Sequence, residues 1–221
     1  MRYADQLIKE STNAQSACRG WFLKSNALFE SGSAQLPADQ LDDGAEACAK
    51  AGDTLFSLSF RLLLAGFDMR QDRPESAIRV LQANYPKVLQ AGFPPQVAQF
   101  EAALATAYRQ IGDLASAVKF ANSALMTDAN RSYSKSTASA YRVLYEVAKK
   151  RGDSRGSLAY LEKYVAAHDG YQSRLSAKAL AYQIVKQQVL AKKLQIEGLD
   201  KKNRILALQG ELDRKAAETS R

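Results

Sequence analysis

Apolar residues recur in this chain at a fixed step of forty positions. Leu64, Leu104 and Leu144 keep the step, as do Phe60, Phe100 and Ala140. So do Leu63, Ala103 and Val143, and Ala77, Ala117 and Ser157, with Ile78, Val118 and Leu158 beside them. A period of this length belongs to a supersecondary unit that cannot bury its apolar face alone and stacks on copies of itself. The stretch from Phe100 to Leu161, one helical hairpin and the start of another, carries the unit in its clearest form.

The local signals say that the units are helical. The sequence has no sustained period-two alternation and no Asn-Gly or Asp-Gly hairpin between apolar runs, so no strand is expected. It predicts helices over residues 2–12, 14–31, 37–50, 54–71, 74–90, 95–111, 114–127, 133–151 and 154–167. In the first of these Tyr3, Leu7 and Ile8 share a face that nothing before them covers. The expectation is that the chain begins inside a longer solenoid, since a terminal repeat normally carries a polar cap. Ser31–Gly32–Ser33 breaks one helix, and Pro37 fits the first turn of the next. Gly52–Asp53, Gly112–Asp113 and Gly152–Asp153 stand at three handovers. In each, glycine suits a left-handed C-cap and aspartate can N-cap the helix that follows. Pro74 can sit in a first turn, and Gly92–Phe93–Pro94–Pro95 is a hard break. His168–Asp169–Gly170 reads as the last turn.

From Tyr171 to about Thr219 there is no proline, and Gly198 and Gly210 are the only glycines. Such a helix of about 48 residues would span about 70 Å. Tyr182, Val185, Val189, Ile196, Leu199 and Leu206 fall on heptad positions a and d, with Lys192 and Asn203 as polar members of the same seam. An Asn at position a fixes register and favours two strands. After Leu206 the seam meets Gly210 and Asp213, and the apolar face moves to Ile205, Leu208 and Leu212, which reads as a stutter. The far half of such a helix needs a partner helix or a frame into which it transmits, and a homodimer through this seam is expected.

The chain has 221 residues, is 46% hydrophobic and carries a formal net charge of +8. Half of that excess lies in residues 186–221, where nine basic side chains meet five acidic ones. A basic helical tail suits an anionic surface nearby, or is a solvated coiled-coil face. Acidic residues interrupt the run and aromatics are absent beyond Tyr182, so nucleic acid is not an expected partner. No apolar run approaches the roughly 18–20 residues of a membrane span, and Met1–Arg2–Tyr3 leads into no signal-peptide core.

Catalytic chemistry has little to stand on. His168 is the single histidine, in a predicted loop, and no Ser–His or Cys–His pair can be built on it. No glycine-rich phosphate loop precedes a helix, and no cluster has metal-ligand spacing. No catalytic residue, metal or cofactor is expected. Arg151–Gly152–Asp153 reads as a helix end, and Asn130–Arg131–Ser132 fits a glycosylation acceptor without further support. Tyr85, Phe93, Tyr108, Tyr141 and Tyr145 are candidates for a concave ligand-binding face, although core packing explains them equally well. The ligand-binding residues are otherwise open.

Cys18 and Cys48 lie at equal distances from the Ser31–Gly32–Ser33 turn, hence at one height on facing helices. Two arrangements follow: a disulfide, if the Cβ vectors converge, or two small buried thiols.

The alternating helix pairs with Gly–Asp handovers resemble tetratricopeptide repeats, with a step of forty where that family has about thirty-four. The resemblance implies an α-solenoid scaffold with a concave surface for a peptide or protein. A closer one covers most of the chain. It rests on Ala17–Cys18–Arg19–Gly20–Trp21, Ala140–Tyr141–Arg142–Val143–Leu144–Tyr145–Glu146 and Leu158–Ala159–Tyr160–Leu161–Glu162–Lys163–Tyr164. It extends to Ala177–Lys178–Ala179–Leu180–Ala181–Tyr182–Gln183 and Leu212–Asp213–Arg214–Lys215–Ala216–Ala217–Glu218–Thr219–Ser220–Arg221. These resemble the periplasmic sensor region of bacterial transmembrane diguanylate cyclases of the tetratricopeptide–GGDEF type. The resemblance implies a repeat sensor domain over 1–170, then a signalling and dimerisation helix over 171–221 that leads toward a membrane span. It implies a cyclic di-GMP-forming GGDEF domain elsewhere in the parent protein, and this chain carries none of that enzyme's motifs. The family has cysteines near Cys18 and Cys48, which favours the bridge. The competing expectation is a soluble tetratricopeptide scaffold for proteins or peptides with no enzymatic partner domain.

Overall fold

In a computed structural model the described residues are 13–32, 37–128 and 133–219. They form eight α-helices and no strand. The helices are α1 Ala14–Glu30, α2 Ala38–Lys50, α3 Thr54–Arg70, α4 Pro74–Ala91, α5 Pro94–Ile111, α6 Leu114–Thr127, α7 Lys135–Lys150 and α8 Ser154–Thr219. The helix expected over 2–12 and the motif at 130–132 lie outside the described residues. The chain divides into two units, Met1–Tyr171 and Gln172–Arg221.

The handovers in the first unit follow from cap chemistry. Gly52, Gly112 and Gly152 take φ of 73°, 84° and 76°, a left-handed conformation that a Cβ would penalise. The aspartate after each turns back on the next helix. Asp53 accepts from the Phe56 N–H, Asp113 from the Ser116 N–H and Asp153 from the Gly156 N–H. The Ser116 side chain and N–H together hold the Asp113 carboxyl below the usual carboxylate range. Pro74 opens α4, and Pro94 and Pro95 open α5, where a missing N–H costs nothing. Pro37 stands one place earlier than expected, as the residue before α2.

Three buried clusters succeed one another along the first unit. Cys18, Leu28, Leu41, Ala45, Cys48, Phe60 and Leu63 join α1, α2 and α3. Leu58, Ala65, Ala77, Leu81, Val88, Phe100 and Leu104 join α3, α4 and α5. Ala102, Ala105, Ala117, Ala121, Ala140, Val143 and Leu144 join α5, α6 and α7. Each cluster shares one helix with the next, because α3 and α5 bury residues on two sides. The forty-step anchors lie at these joints: Phe60, Phe100 and Ala140 are fully buried. The pattern fades where packing ends. Ile78 is buried, whereas its counterpart Leu158 is 59% exposed.

The expected turn at His168–Asp169–Gly170 is absent, and α8 runs through it without a break. Gly170 has no left-handed φ. A Cβ there would overlap the Tyr133 ring, so this glycine serves close approach of a side chain rather than chain reversal. His168 lies on the helix surface, its ring 5.7 Å from that of Tyr164 and its Nδ1 3.6 Å from the Asp169 carboxyl. The two helices expected over 154–167 and from 171 onward are one helix of 66 residues.

Candidate functional site

The second unit, Gln172–Arg221, is described by one helix. Over residues 172–216 every one except Gly210 is exposed. Tyr182, Val185, Val189, Ile196, Leu199 and Leu206 are each more than half exposed. With Lys192 and Asn203 they recur at steps of three and four residues and so share one stripe of the helix. Fourteen large apolar side chains between Leu175 and Leu212 are exposed. Soluble proteins seldom leave so contiguous an apolar surface in water, and such surfaces mark association sites.

In the first unit, Cys18 on α1 and Cys48 on α2 form a disulfide, with Cα atoms 5.2 Å apart. Both are buried, and the Phe22, Phe56 and Phe60 rings pack edge to face beside them. Arg19, next to Cys18, reaches the buried Asp53 carboxyl at 2.9 Å and lies over the Phe56 ring. Lys135 pairs with Glu30 at 2.7 Å, across 105 positions, so α7 and α1 present side chains to each other.

A cleft of about 260 Å³ opens between the end of α6, the start of α7 and α8. Leu125, Ala166 and Ala167 supply its apolar lining, and Asp128, Tyr133, Thr137, Tyr141 and Lys163 its polar one. Ser134 and Thr137 donate to the Asp128 carboxyl, the latter at 3.4 Å. The Lys163 ammonium lies over the Tyr141 and Tyr160 rings at 5.8 and 5.9 Å, close enough for cation–π attraction. Opposite charges, hydroxyls and aromatic faces suit a small polar ligand or a peptide side chain. No histidine or cysteine is among the described residues that line the cleft.

The five aromatic residues expected on a concave face are put to different uses. Tyr85 and Tyr108 pack on Phe120, edge to face and stacked. Phe93 is exposed at the turn between α4 and α5. Tyr145 carries Lys149 over its ring, and only Tyr141 reaches the cleft.

A buried polar group escaped the sequence reading. The Glu101 side chain is 2% exposed, in the middle of α5. Its Oε1 accepts from the Tyr85 hydroxyl at 2.8 Å and the Ser123 hydroxyl at 2.5 Å, which ties α4 and α6 to α5. Burial, and then the Glu101 carboxyl beside it, push the Tyr85 hydroxyl up to about 12. The signal available in the sequence was a lone carboxyl inside the apolar run from Phe100 to Leu104.

Among the described residues no group of three or more His, Cys, Asp or Glu side chains is placed to hold a metal ion. Among them, no helix is long and apolar enough to cross a membrane. No protein-family model and no curated protein matches the chain.

Proposed function

We propose that the chain is the periplasmic sensory and dimerisation module of a membrane-bound diguanylate cyclase. Residues 1–170 act as a tetratricopeptide-like α-solenoid that takes up a small molecule, peptide or protein. The helix over 171–221 pairs with that of a second copy and carries the signal toward a membrane-anchored cyclase domain.

The observation that carries this reading is the stripe from Tyr182 to Leu206, left in water along an unbroken helix. A parallel two-stranded coil would cover it, with Asn203 specifying register. Condensing two GTP molecules requires two cyclase domains face to face, and a parallel helix pair sets their spacing and rotation. Ligand uptake would act by favouring one arrangement of that pair over another, through its differential affinity for the two. The repeating Gly–Asp handovers and the chain of shared-helix clusters support the solenoid reading. The Cys18–Cys48 bridge suits an oxidising compartment such as the periplasm.

Like-to-like cross-linking tests the reading. Leu199→Cys, Asn203→Cys and Leu206→Cys, introduced singly, are expected to give covalent dimers under mild oxidation. If the three variants stay monomeric at association-permitting concentrations, the paired-helix reading fails. The alternative is then a soluble scaffold that grips a peptide at the cleft beside Tyr133 and Tyr141.

A further inference from the structure

The stripe through Val189 and Leu199 occupies one side of the second unit, and the other side is apolar too. Leu180, Ile184, Leu194, Ile205, Leu208 and Leu212 are 46–66% exposed. With Tyr182 at heptad position a, all six fall at c and f. Ile184 follows Tyr182 by two residues and Leu208 follows Leu206 by two, about 200° round the helix at 3.6 residues per turn. Leu194 follows Val189 by five, about 140° round. The two faces are therefore on nearly opposite sides. The second is not a displacement of the first beginning after Leu206. It is already present at Leu180 and runs about 48 Å to Leu212.

One partner helix covers the a and d side and leaves c and f outermost, where a two-stranded coil ordinarily carries polar residues. Here that pairing would leave six large aliphatic side chains in water. Gln187, Gly198 and Lys201 interrupt the second face much as Lys192 and Asn203 interrupt the first. An occupant must present apolar side chains at alternating steps of three and four over the same length. A second copy of this helix does so by construction. Charge agrees with a parallel copy: Glu197 and Lys202 flank the second face five positions apart. In two parallel helices facing through it, Glu197 of one comes beside Lys202 of the other.

We infer that the face through Leu194 and Leu208 is a second self-association seam, so that copies paired through Val189 join further copies on the opposite side. An assembly closes only when the operation relating successive copies returns to its start. Arcs on nearly opposite sides instead extend association sideways, into a row of helices. This goes beyond the two-stranded reading above.

Cysteine cross-linking of the full chain separates the possibilities. Val189→Cys alone reports the first seam, Leu194→Cys alone the second, and the double variant reports both at once. The expected result is covalent dimers from each single variant and a ladder of trimers, tetramers and larger species from the double. Adding Leu208→Asp and Ile205→Asp to the double variant should collapse the ladder to dimers. If Leu194→Cys gives no cross-link and the double variant stops at dimers, the second seam is overturned and the two-stranded reading stands. If both single variants give dimers but the double also stops at dimers, one pair exchanges between two faces, and the inference is again overturned. If only Leu194→Cys cross-links, the first seam fails, and with it both the paired-helix reading and the two-seam inference.

Discussion

Tyr85 and Glu101 show how a single buried polar pair binds three helices. The Glu101 carboxyl sits among apolar neighbours on α5, and its Oε2 has no hydrogen-bond partner among the described residues. Removing a donor from such a group costs about 1–3 kcal/mol. The Tyr85 hydroxyl titrates near 10 in the unfolded chain and is pushed up to about 12 in the folded one, chiefly by burial. Between those values the unfolded state releases a proton that the folded state keeps, so stability falls as pH rises. Below pH 10 both states are protonated and the contribution is fully present. Thermal melts of the wild type are therefore expected to fall steeply between pH 10 and 12. Tyr85→Phe is expected to melt lower at pH 7, because Glu101 loses a donor, and to show a shallower alkaline decline. Parallel slopes for the two proteins would contradict this account. Gly44 and Gly170 carry another residue-scale lesson: neither sits in a turn. A Cβ at Gly44 would stand 2.5 Å from the Phe60 ring, and one at Gly170 would meet Tyr133. Sequence reads glycine as punctuation, but here two glycines admit a ring, and that use shows only once distant residues meet.

At the scale of elements, α1 is held to its neighbours by a small apolar contact, one covalent bond and two ion pairs, Arg19 with Asp53 and Glu30 with Lys135. It has three buried residues, Cys18, Gly20 and Leu28, fewer than the nine on α5. The Cys18–Cys48 bridge spans 30 positions, and closing a loop of that size stabilises a fold by about 3–4 kcal/mol in the chain-entropy account. Cys18→Ser with Cys48→Ser is expected to lower the unfolding free energy by about that amount, read by urea denaturation. Exchange of α1 and α2 amide hydrogens should accelerate before that of α5, because the lost constraint is local. Unchanged stability in the double variant would mean that packing and the two ion pairs hold α1 without the bridge. The cap residues explain why helix boundaries were legible. Gly–Asp pairs and Pro–Pro dipeptides act through nearest-neighbour backbone geometry, which requires no tertiary context. The boundary at Gly170 failed for the same reason in reverse, since no cap chemistry surrounds it and its partner Tyr133 lies 37 positions away.

For the whole molecule, the question is what becomes of the apolar surface on the second unit. The helix is apolar on two sides, and in water neither is covered. Burying a charge without a partner costs several kcal/mol, and each 1.4 kcal/mol is a factor of ten in affinity. Leu199→Asp with Leu208→Asp, one on each face, is expected to weaken self-association by about a hundredfold or more. Sedimentation velocity should then report a monomer. The near-UV dichroism of the aromatic clusters around Phe22, Phe60 and Phe120 should be unchanged, since those rings lie in the other unit. A variant that still sediments as the wild type does would show that neither face mediates association.

The order of helices, the handovers and the anchors at Phe60, Phe100 and Ala140 could be read directly from the chain, because each depends on local backbone chemistry or on a period that survives without coordinates. The stripe through Val189 was legible for the same reason, and the stripe through Leu194 could have been, had the heptad been read on both sides. Tertiary structure alone decided that Cys18 and Cys48 bond rather than stay two buried thiols, and that Glu101 is shared by Tyr85 and Ser123. It also decided that Gly170 continues a helix and that Tyr141 reaches a cleft while Tyr85 does not. Each of these depends on residues far apart in sequence arriving at one point, and pairwise distance across a fold is not encoded in any local pattern.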